Sequence, residues 1–267
     1  MTGLLIMHIS DIHFAAESKG QPSPREALEA ASDAVLHDFG DAEIVLVLSG
    51  DVTTTGNTSG YVEALRALES LKANLNITKV VVCPGNHDIE RVAAKEFRSF
   101  NKFAFSLTND PNQCWNEAHA VRIVSHGDYD FVLGNTSFHG DYRTGKVPLK
   151  DMKALLTRDE RPKIVVIHHS PIASEYGGGG LAEAYELLSL ISGCSAIALL
   201  HGHVHSDQAI TVGRNQAVVC GVGSIGFRPD PNMNNQFAMY EFNNRTMVTM
   251  TPYQYRLNRG RFFRMTV

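Results

Sequence analysis

The 267-residue sequence has no long apolar run and no block of like charge. No apolar run approaches the roughly 18 residues that a membrane-spanning helix needs, and no run reaches about five charges of one sign. With 43% hydrophobic and 19% charged residues, the composition is that of an ordinary globular protein, which argues against disorder. The formal net charge is −4, so the chain lacks the bulk positive field that binds nucleic acid non-specifically.

Cysteine is also scarce. The four cysteines, Cys83, Cys114, Cys194 and Cys220, are widely separated and form no C-x-x-C pair. This spacing argues against a zinc or dithiol motif and favours free thiols in a reducing compartment. The first residues lack the basic start and the apolar stretch of about 7–15 residues that a signal peptide would show. We therefore expect a cytoplasmic protein with no membrane partner.

Short apolar strands alternate with amphipathic helices through the first 200 residues. Buried strands are predicted at six β-branched runs: Leu4–Ile9, Ile44–Leu48, 80–82, 131–133, 164–167 and 197–200. Apolar residues at helical spacing predict five helices: Pro24–Phe39, 60–75, 89–105, Leu149–Leu156 and 181–191. Ser23, directly before Pro24, is expected to cap the first helix.

The last third of the chain changes to strands joined by short turns. Four strands are predicted, paired as antiparallel hairpins: 209–212, 217–220, 237–242 and 247–252. Together with the preceding alternation of strands and helices, this pattern predicts an α/β layered fold.

Side chains that can bind metals follow five of the predicted strands. The five sets are Asp11-x-His13, Gly50-Asp51, Gly85-Asn86-His87-Asp88, His168-His169-Ser170-Pro171 and His201-Gly202-His203-Val204-His205. Ligands of α/β sheets bind beyond the carboxyl ends of the strands, so these side chains are expected at one edge. Asp-x-His and Gly-Asp alone are common in loops, whereas Gly-Asn-His-Asp and three histidines within five residues are more specific. Five such sets in succession at strand ends predict a metal site.

In this order the residues resemble the motifs of the calcineurin-like metallophosphoesterases, in their bacterial phosphodiesterase-like form. Those motifs are D-x-H, G-D, G-N-H-D/E, a His before Pro, and G-H-x-H, and they match from Asp11 to His205. The resemblance implies an α/β fold, a four-layer α/β/β/α sandwich of two mixed sheets. It also implies a single metallophosphoesterase domain over residues 1–267.

The resemblance further implies how two metal ions would be held. Carried over motif by motif, the first metal has the ligands Asp11, His13, Asp51 and His205. The second shares Asp51 and adds Asn86, His168 and His203. Pro171 is three residues after His168 but two after His169, so His169 stays open as the alternative ligand. His87 would be the catalytic proton donor, with Asp88 as the partner that holds it.

Mixed imidazole and carboxylate ligands suit two divalent transition metals, with manganese expected and iron, zinc, cobalt or nickel as alternatives. Two such ions can hold a bridging hydroxide and lower the pKa of bound water toward about 7. We therefore expect a phosphoric ester hydrolase, a phosphodiesterase acting on a nucleotide or other small diester by attack of that hydroxide. A nuclease or a phosphomonoesterase is the alternative. A non-catalytic scaffold is disfavoured because every expected ligand is present.

Three histidines and one tail are not assigned to the site. His8 and His201 are expected to be core histidines, and His139 is left outside the ligand set. The tail 251–267 carries arginines and aromatic residues but no acidic residue. Such a tail suits either a grip on nucleic acid or an edge strand with outward arginines, and the edge strand is expected. Loops 177–180 and 228–236 are expected to wall the cleft.

Overall fold

The computed structural model describes residues 3–15, 22–90, 97–116, 119–140, 144–172, 180–227, 234–243 and 246–265. Of the two loops expected to wall the cleft, only residue 180 and residues 234–236 lie within these ranges. Among the described residues, no helix combines the length and the apolar composition needed to cross a membrane.

Twelve strands and five α-helices are formed by the described residues. The strands are β1 (Leu4–Ile9), β2 (Ile44–Leu48), β3 (Ile77–Val82), β4 (Val121–His126), β5 (Tyr129–Gly134), β6 (Lys163–Ile167), β7 (Ala196–His201), β8 (Gln208–Val212), β9 (Ala217–Gly221), β10 (Gln236–Asn243), β11 (Thr246–Arg256) and β12 (Arg261–Arg264). The helices are α1 (Pro24–Phe39), α2 (Thr58–Asn74), α3 (Arg98–Thr108), α4 (Leu149–Leu156) and α5 (Ala184–Ser192).

The strands form two mixed six-stranded sheets. The first has the order β12-β11-β10-β1-β2-β3, and the second has the order β4-β5-β6-β7-β9-β8. In the first sheet β1, β2 and β3 are parallel, while β10, β11 and β12 continue from β1 as antiparallel neighbours. In the second sheet β5, β6, β7 and β9 are parallel, and β4 and β8 are antiparallel edges.

Alternate residues of the second sheet belong to two different cores. Ile164 and Val166 of β6 join the core built on the first sheet, whereas Val165 and Ile167 join a second core with α4 and α5. Successive side chains point to opposite faces of a strand, so one face of β6 packs on the first sheet and the other on helices. Helices α1, α2 and α3 cover the outer face of the first sheet. The expected α/β/β/α sandwich of two mixed sheets is thereby confirmed.

Helix α1 begins where the sequence predicts. The Ser23 hydroxyl oxygen accepts a hydrogen bond from the backbone N–H of Glu26, and the Glu26 carboxylate accepts one from the Ser23 N–H at 2.8 Å. This reciprocal capping box satisfies two backbone donors that the first turn would otherwise leave unpaired. At its other end the helix stops at Gly40, which has a positive φ of 56°.

Three predicted features differ from the structure. The helix expected over 89–105 is wrong in its first part, because Asn86–Asp88 form a short 3-10 turn, Ile89 and Glu90 are not helical, and the helix begins at Arg98. Strand β4 is absent from the predicted elements, since it is half-exposed. The edge strand expected in the tail is confirmed as β12, in which Arg261 and Arg264 are exposed. Strand β9 pairs with β8 as expected but also runs parallel to β7.

The cap on α1 gives a stability prediction. Replacing Ser23→Ala removes the side-chain acceptor for the Glu26 N–H, and we expect the free energy of unfolding to fall by about 1 kcal/mol. Urea denaturation followed by circular dichroism measures it. Ser70→Ala, an exposed serine inside α2, is the control and should change stability by less than about 0.5 kcal/mol. Equal effects of the two substitutions would contradict the role of the cap.

Candidate metal centre

The predicted ligands lie at the carboxyl ends of parallel strands in both sheets. Asp11 and His13 follow β1, Asp51 follows β2 and Asn86 follows β3. His168 follows β6, while His203 and His205 follow β7. Because the two sheets pack face to face, these ends meet in one place.

Five of these residues have the left-handed backbone conformation. The five are Asp11, His13, Asp51, His203 and His205. Only three other described non-glycine residues have a positive φ. This conformation costs an ordinary residue about 1–2 kcal/mol. Strained backbone conformations of this kind cluster at functional sites, where the direction of a side chain must be fixed. Here the five turns aim the side chains inward.

Two glycines let the backbones of β2 and β3 approach each other beneath the site. Gly50 has a φ of 103°, and a Cβ there would lie 2.6 Å from the Gly85 nitrogen and 2.7 Å from Nδ1 of His168. A Cβ on Gly85 would fall on the Asp51 carboxylate. Any larger residue at either position would therefore displace Asp51 or His168.

Asp11, His13 and His205 form one group of possible ligands. Oδ1 of Asp11 lies 3.0 Å from Nε2 of His205 and 3.8 Å from Nε2 of His13. The other oxygen of Asp11 accepts a hydrogen bond from the His203 N–H at 3.0 Å. One donor atom from each of the three side chains lies within 4.8 Å of the others, a spacing that fits one shared cation.

A second group contains Asn86, His168 and His203. Oδ1 of Asn86 lies 2.9 Å from Nε2 of His168 and 3.1 Å from Nδ1 of His203, and these two nitrogens are 3.3 Å apart. The other ring nitrogen of His168 donates to the Ser49 carbonyl at 2.9 Å, which fixes the ring. An amide oxygen and two imidazole nitrogens thus lie close enough to share one cation.

Asp51 lies between the two groups. Its Oδ2 is 3.3 Å from Nε2 of His168 and 3.7 Å from Nε2 of His13. Its Oδ1 accepts a hydrogen bond from the His87 N–H at 2.8 Å. The side chain is buried, with 2% relative exposure. It is therefore placed to contribute to both groups at once.

The donor set fits two divalent cations. Both ring nitrogens of His13 are buried and have no hydrogen-bond partner, although burying a polar group unpaired is costly. A metal ion at Nε2 would satisfy one of these nitrogens. Imidazole, carboxylate and amide donors together are typical of a transition-metal site rather than of magnesium or calcium.

The electrostatics also favour cations. Burial alone would raise the pKa of Asp51, but nearby His168 and His13 outweigh it and hold that pKa below its usual range. Burial of Asp11 is likewise outweighed by His205, so its pKa is lowered. Burial lowers the pKa of His168, yet Asp51 and Asp11 outweigh it and raise that pKa to about 9. Binding a metal must therefore displace a proton from His168.

Comparison with known proteins agrees with this geometry. The model of the calcineurin-like phosphoesterase family matches residues 4–207. The chain belongs to the calcineurin-like phosphoesterase family. The expected reaction class, hydrolysis of phosphoric esters, and a dinuclear divalent metal centre are properties of this family, so both expectations are confirmed at that level.

Solved structures share the fold. A purple acid phosphatase from yellow lupin (Lupinus luteus) seeds superposes with a TM-score of 0.65 at 15% identity, covering 98% of this chain and 53% of that one. A dimetal phosphatase from Danio rerio gives a TM-score of 0.62 at 14% identity, covering 98% of both chains. This phosphoesterase chain thus spans about half the length of the lupin protein.

The expected partner of His87 is wrong. Nδ1 of His87 donates to the carbonyl oxygen of Thr54 at 2.8 Å, so a backbone group rather than Asp88 orients the ring. The His87 ring lies beside that of His13, with 5.0 Å between centroids. Its backbone N–H is held by Asp51, as described above. His87 is therefore fixed next to both ligand groups.

Asp88 instead ties together the loops that carry the site. Its buried carboxylate accepts hydrogen bonds from the backbone N–H groups of Val52, Thr53 and Gly85 and from the Tyr61 hydroxyl at 2.8 Å. Burial, together with the nearby Asp51 charge, raises the pKa of Asp88 to about 6. These contacts make Asp88 a structural support for the loops on either side of Asp51.

The geometry separates the two adjacent histidines. His168 lies among the ligand groups, whereas Nδ1 of His169 is 2.7 Å from the Thr136 hydroxyl. His8 is a core histidine as expected, with Nε2 2.8 Å from the Ser49 hydroxyl. His201 is fully buried at the end of β7.

Sequence reasoning missed two contacts of the centre. The Phe227 ring packs against His13 and His205, with centroids 4.9 and 5.9 Å apart. The Ser224 hydroxyl donates to the Asp11 carbonyl at 2.6 Å. No motif marks either residue, because both come from the loop after β9 and reach the site only through the sheet order.

The position of Asp51 between the groups gives a metal-binding prediction. Asp51→Asn should lower bound metal from two ions per chain to less than one, because the shared negative ligand is lost. Metal content by inductively coupled plasma mass spectrometry measures it. His119→Gln is the control and should keep both ions, as His119 is exposed and lies outside both ligand groups. Two ions retained by Asp51→Asn would contradict the shared position.

Proposed function

We propose that this phosphoesterase is a dinuclear-metal phosphodiesterase acting on a nucleotide or other small diester. The observation that carries the proposal is the position of Asp51 between two groups of buried donors, with His87 fixed beside them. In this proposal the first metal is held by Asp11, His13, Asp51 and His205. The second is held by Asp51, Asn86, His168 and His203.

The charge of this ligand set suits an anionic substrate. Only Asp11 and Asp51 are negative, since Asn86 is neutral and the four histidine ligands bind as neutral imidazoles. Two divalent cations against two carboxylates leave net positive charge at the centre. A phosphate ester can therefore be bound without an arginine clamp. When bound, the metal pair would also lower the pKa of a water molecule toward about 7 and neutralise charge on the phosphate.

His87 is placed to protonate the leaving group. Its Nδ1–H donates to the Thr54 carbonyl, so Nε2 is the ring atom left to exchange a proton with the substrate. The His87 backbone is anchored on Asp51, which fixes its distance from the centre. Proton donation by a positioned histidine contributes about 10²–10⁴-fold to rate.

The role of His87 gives a kinetic prediction. His87→Ala should keep two metal ions but lower kcat by about 10²-fold or more for an ester with a poor alkoxide leaving group. For a nitrophenyl ester the loss should be below about tenfold, because that leaving group needs no proton. His119→Ala, at an exposed position, is the control. Equal losses for the two esters would show that His87 is not the acid.

The substrate preference is tested with two nitrophenyl compounds. Protein loaded with Mn²⁺ is assayed on bis(p-nitrophenyl) phosphate and on p-nitrophenyl phosphate. We expect kcat/KM to favour the diester by at least about tenfold. Preference for the monoester would replace the proposal with a phosphomonoesterase. No turnover of either compound by protein holding two metal ions would contradict a small-diester activity. Manganese as the native metal and a cytoplasmic location stay predictions.

A further inference from the structure

Three exposed arginines lie where β11 turns into β12. We name residues 256–261 the arginine turn; it contains Arg256, Arg259 and Arg261. The turn follows the carboxyl end of β11. Since β11 is antiparallel to β10, and β10 is antiparallel to β1, β11 runs in the same direction as β1. The arginine turn therefore lies at the edge of the first sheet that carries the metal centre.

The strand register gives the position of the arginine turn relative to Asp11, both along the strands and across the sheet. His8 of β1 is opposite Ala238 of β10, which is opposite Pro252 of β11. Asp11 comes three residues after His8, and Arg256 comes four residues after Pro252, so both extend a similar distance past that level. Neighbouring strands are about 4.8 Å apart, which places β11 about 10 Å and β12 about 14 Å from β1.

A chain of hydrogen bonds joins Tyr255, directly before the arginine turn, to Ser10, directly before Asp11. The Tyr255 N–H donates to the Asn235 carbonyl at 2.8 Å, and the Asn235 side-chain amide donates to the Ile225 carbonyl at 2.9 Å. The Ile225 N–H then donates to the Ser10 carbonyl at 3.2 Å. Asn235 is buried, with 2% relative exposure. The turn is thus held in a fixed position relative to Asp11.

The arginine turn carries positive charge that the described residues do not neutralise. Among them, the ion pairs formed by arginine involve Arg25, Arg158 and Arg161, not the arginines of the turn. Asp33 and Asp38 line a surface cavity with Arg261, but Asp38 already accepts hydrogen bonds from Tyr253 and His37.

Two of the arginines oppose each other directly. Arg256 and Arg261 are a cross-strand pair, an arrangement in which like charges destabilise a sheet. Both guanidinium groups rest on the ring of Phe263, 4.9 and 4.7 Å from its centroid. The ring holds the two groups in place by cation–π contact while their N–H donors remain available. Phe263 therefore offsets part of the repulsion and leaves two exposed positive charges side by side at this turn.

We propose that the arginine turn binds a phosphate of the substrate remote from the one hydrolysed, and that the substrate is a single-stranded oligonucleotide. A strand with one phosphodiester at the metal centre would present further phosphates toward the turn, which lies about 10–14 Å to the side of β1. Arginine and neighbouring aromatic rings suit such a strand, because guanidinium groups pair with phosphates and bases stack on aromatic and guanidinium planes. This inference rests on the proposed phosphodiesterase function only in the turnover experiment, because the binding experiment needs no catalysis.

Binding is measured first, without turnover. Metal-free protein is titrated against a fluorescently labelled single strand of about 12 nucleotides, and anisotropy gives Kd across a salt series. We expect the double variant Arg256→Gln, Arg259→Gln to bind at least about tenfold more weakly. The plot of log K against log salt should become shallower by about 0.7 for each phosphate that the variant no longer neutralises.

The control removes the same charge elsewhere. Arg66→Gln with Arg214→Gln replaces two exposed arginines, Arg66 on α2 and Arg214 in the turn between β8 and β9 at the opposite end of the second sheet. This variant should bind like the wild type. Equal weakening by the two double variants would show a non-specific charge effect and overturn the proposal. Unchanged binding by the arginine-turn variant would overturn it as well.

Turnover separates this inference from the proposed function. In Mn²⁺-loaded protein the arginine-turn variant should raise KM for the oligonucleotide by about tenfold and leave kcat/KM for bis(p-nitrophenyl) phosphate within about twofold. Equal losses on both substrates would overturn the remote phosphate site. If the wild type hydrolyses neither substrate but its binding depends on the turn, the proposed function fails and the binding site stands.

Discussion

The contact between Asp51 and His168 joins the two sheets at the metal centre. Asp51 comes from the first sheet and His168 from the second, both are buried, and 3.3 Å separates the carboxylate from Nε2. Removing one partner of a buried pair leaves an uncompensated charge, which costs several kcal/mol. The two sheets must therefore pack so that the carboxyl ends of their parallel strands lie at the same edge of the sandwich. Gly50 and Gly85 let the loops after β2 and β3 approach closely, and this close approach keeps Asp51 within reach of His168.

The centre is stabilised by buried hydrogen bonds around the proposed ligands. Asp88 accepts hydrogen bonds from three backbone N–H groups around Asp51, and the Ser49 carbonyl orients His168. These contacts, with the two hydrophobic cores behind them, offset the left-handed backbone at residues such as Asp11 and His205. A site in which the ligands are held before the metals arrive loses less conformational entropy on binding them. Preorganisation here comes from backbone carbonyl and N–H groups as much as from side chains.

Much of this arrangement could be predicted from sequence because the signals are local. Buried strands such as β2 and β6 are nearly continuous apolar runs, and a polar residue follows each directly, Ser49 after β2 and His168 after β6. The error at Asp88 has a physical cause: adjacency to His87 in sequence suggested a contact, but the 3-10 turn directs the two side chains apart. The choice between His168 and His169 depended in the same way on which face of the chain turns inward. Phe227 and Ser224 carry no local signal, since only the pairing of distant strands brings them to Asp11.

The strand order of the first sheet places the proposed metal ligands and the arginine turn on different strands of the same sheet edge. Parallel strands β1, β2 and β3 carry every ligand proposed from this sheet at their carboxyl ends, where α/β folds bind their ligands. The antiparallel strands β10, β11 and β12 place alternate turns at the two ends of the sheet, so the turn after β11 necessarily returns to the edge that holds the ligands. In a chain of net charge −4, three arginines that form no ion pair with any described residue give that edge a local positive field, beside a centre that is itself cationic when loaded. The two positive regions are far enough apart to contact different phosphates of one substrate. The order of the strands can therefore add a second phosphate-binding region to a site that hydrolyses a single phosphoester.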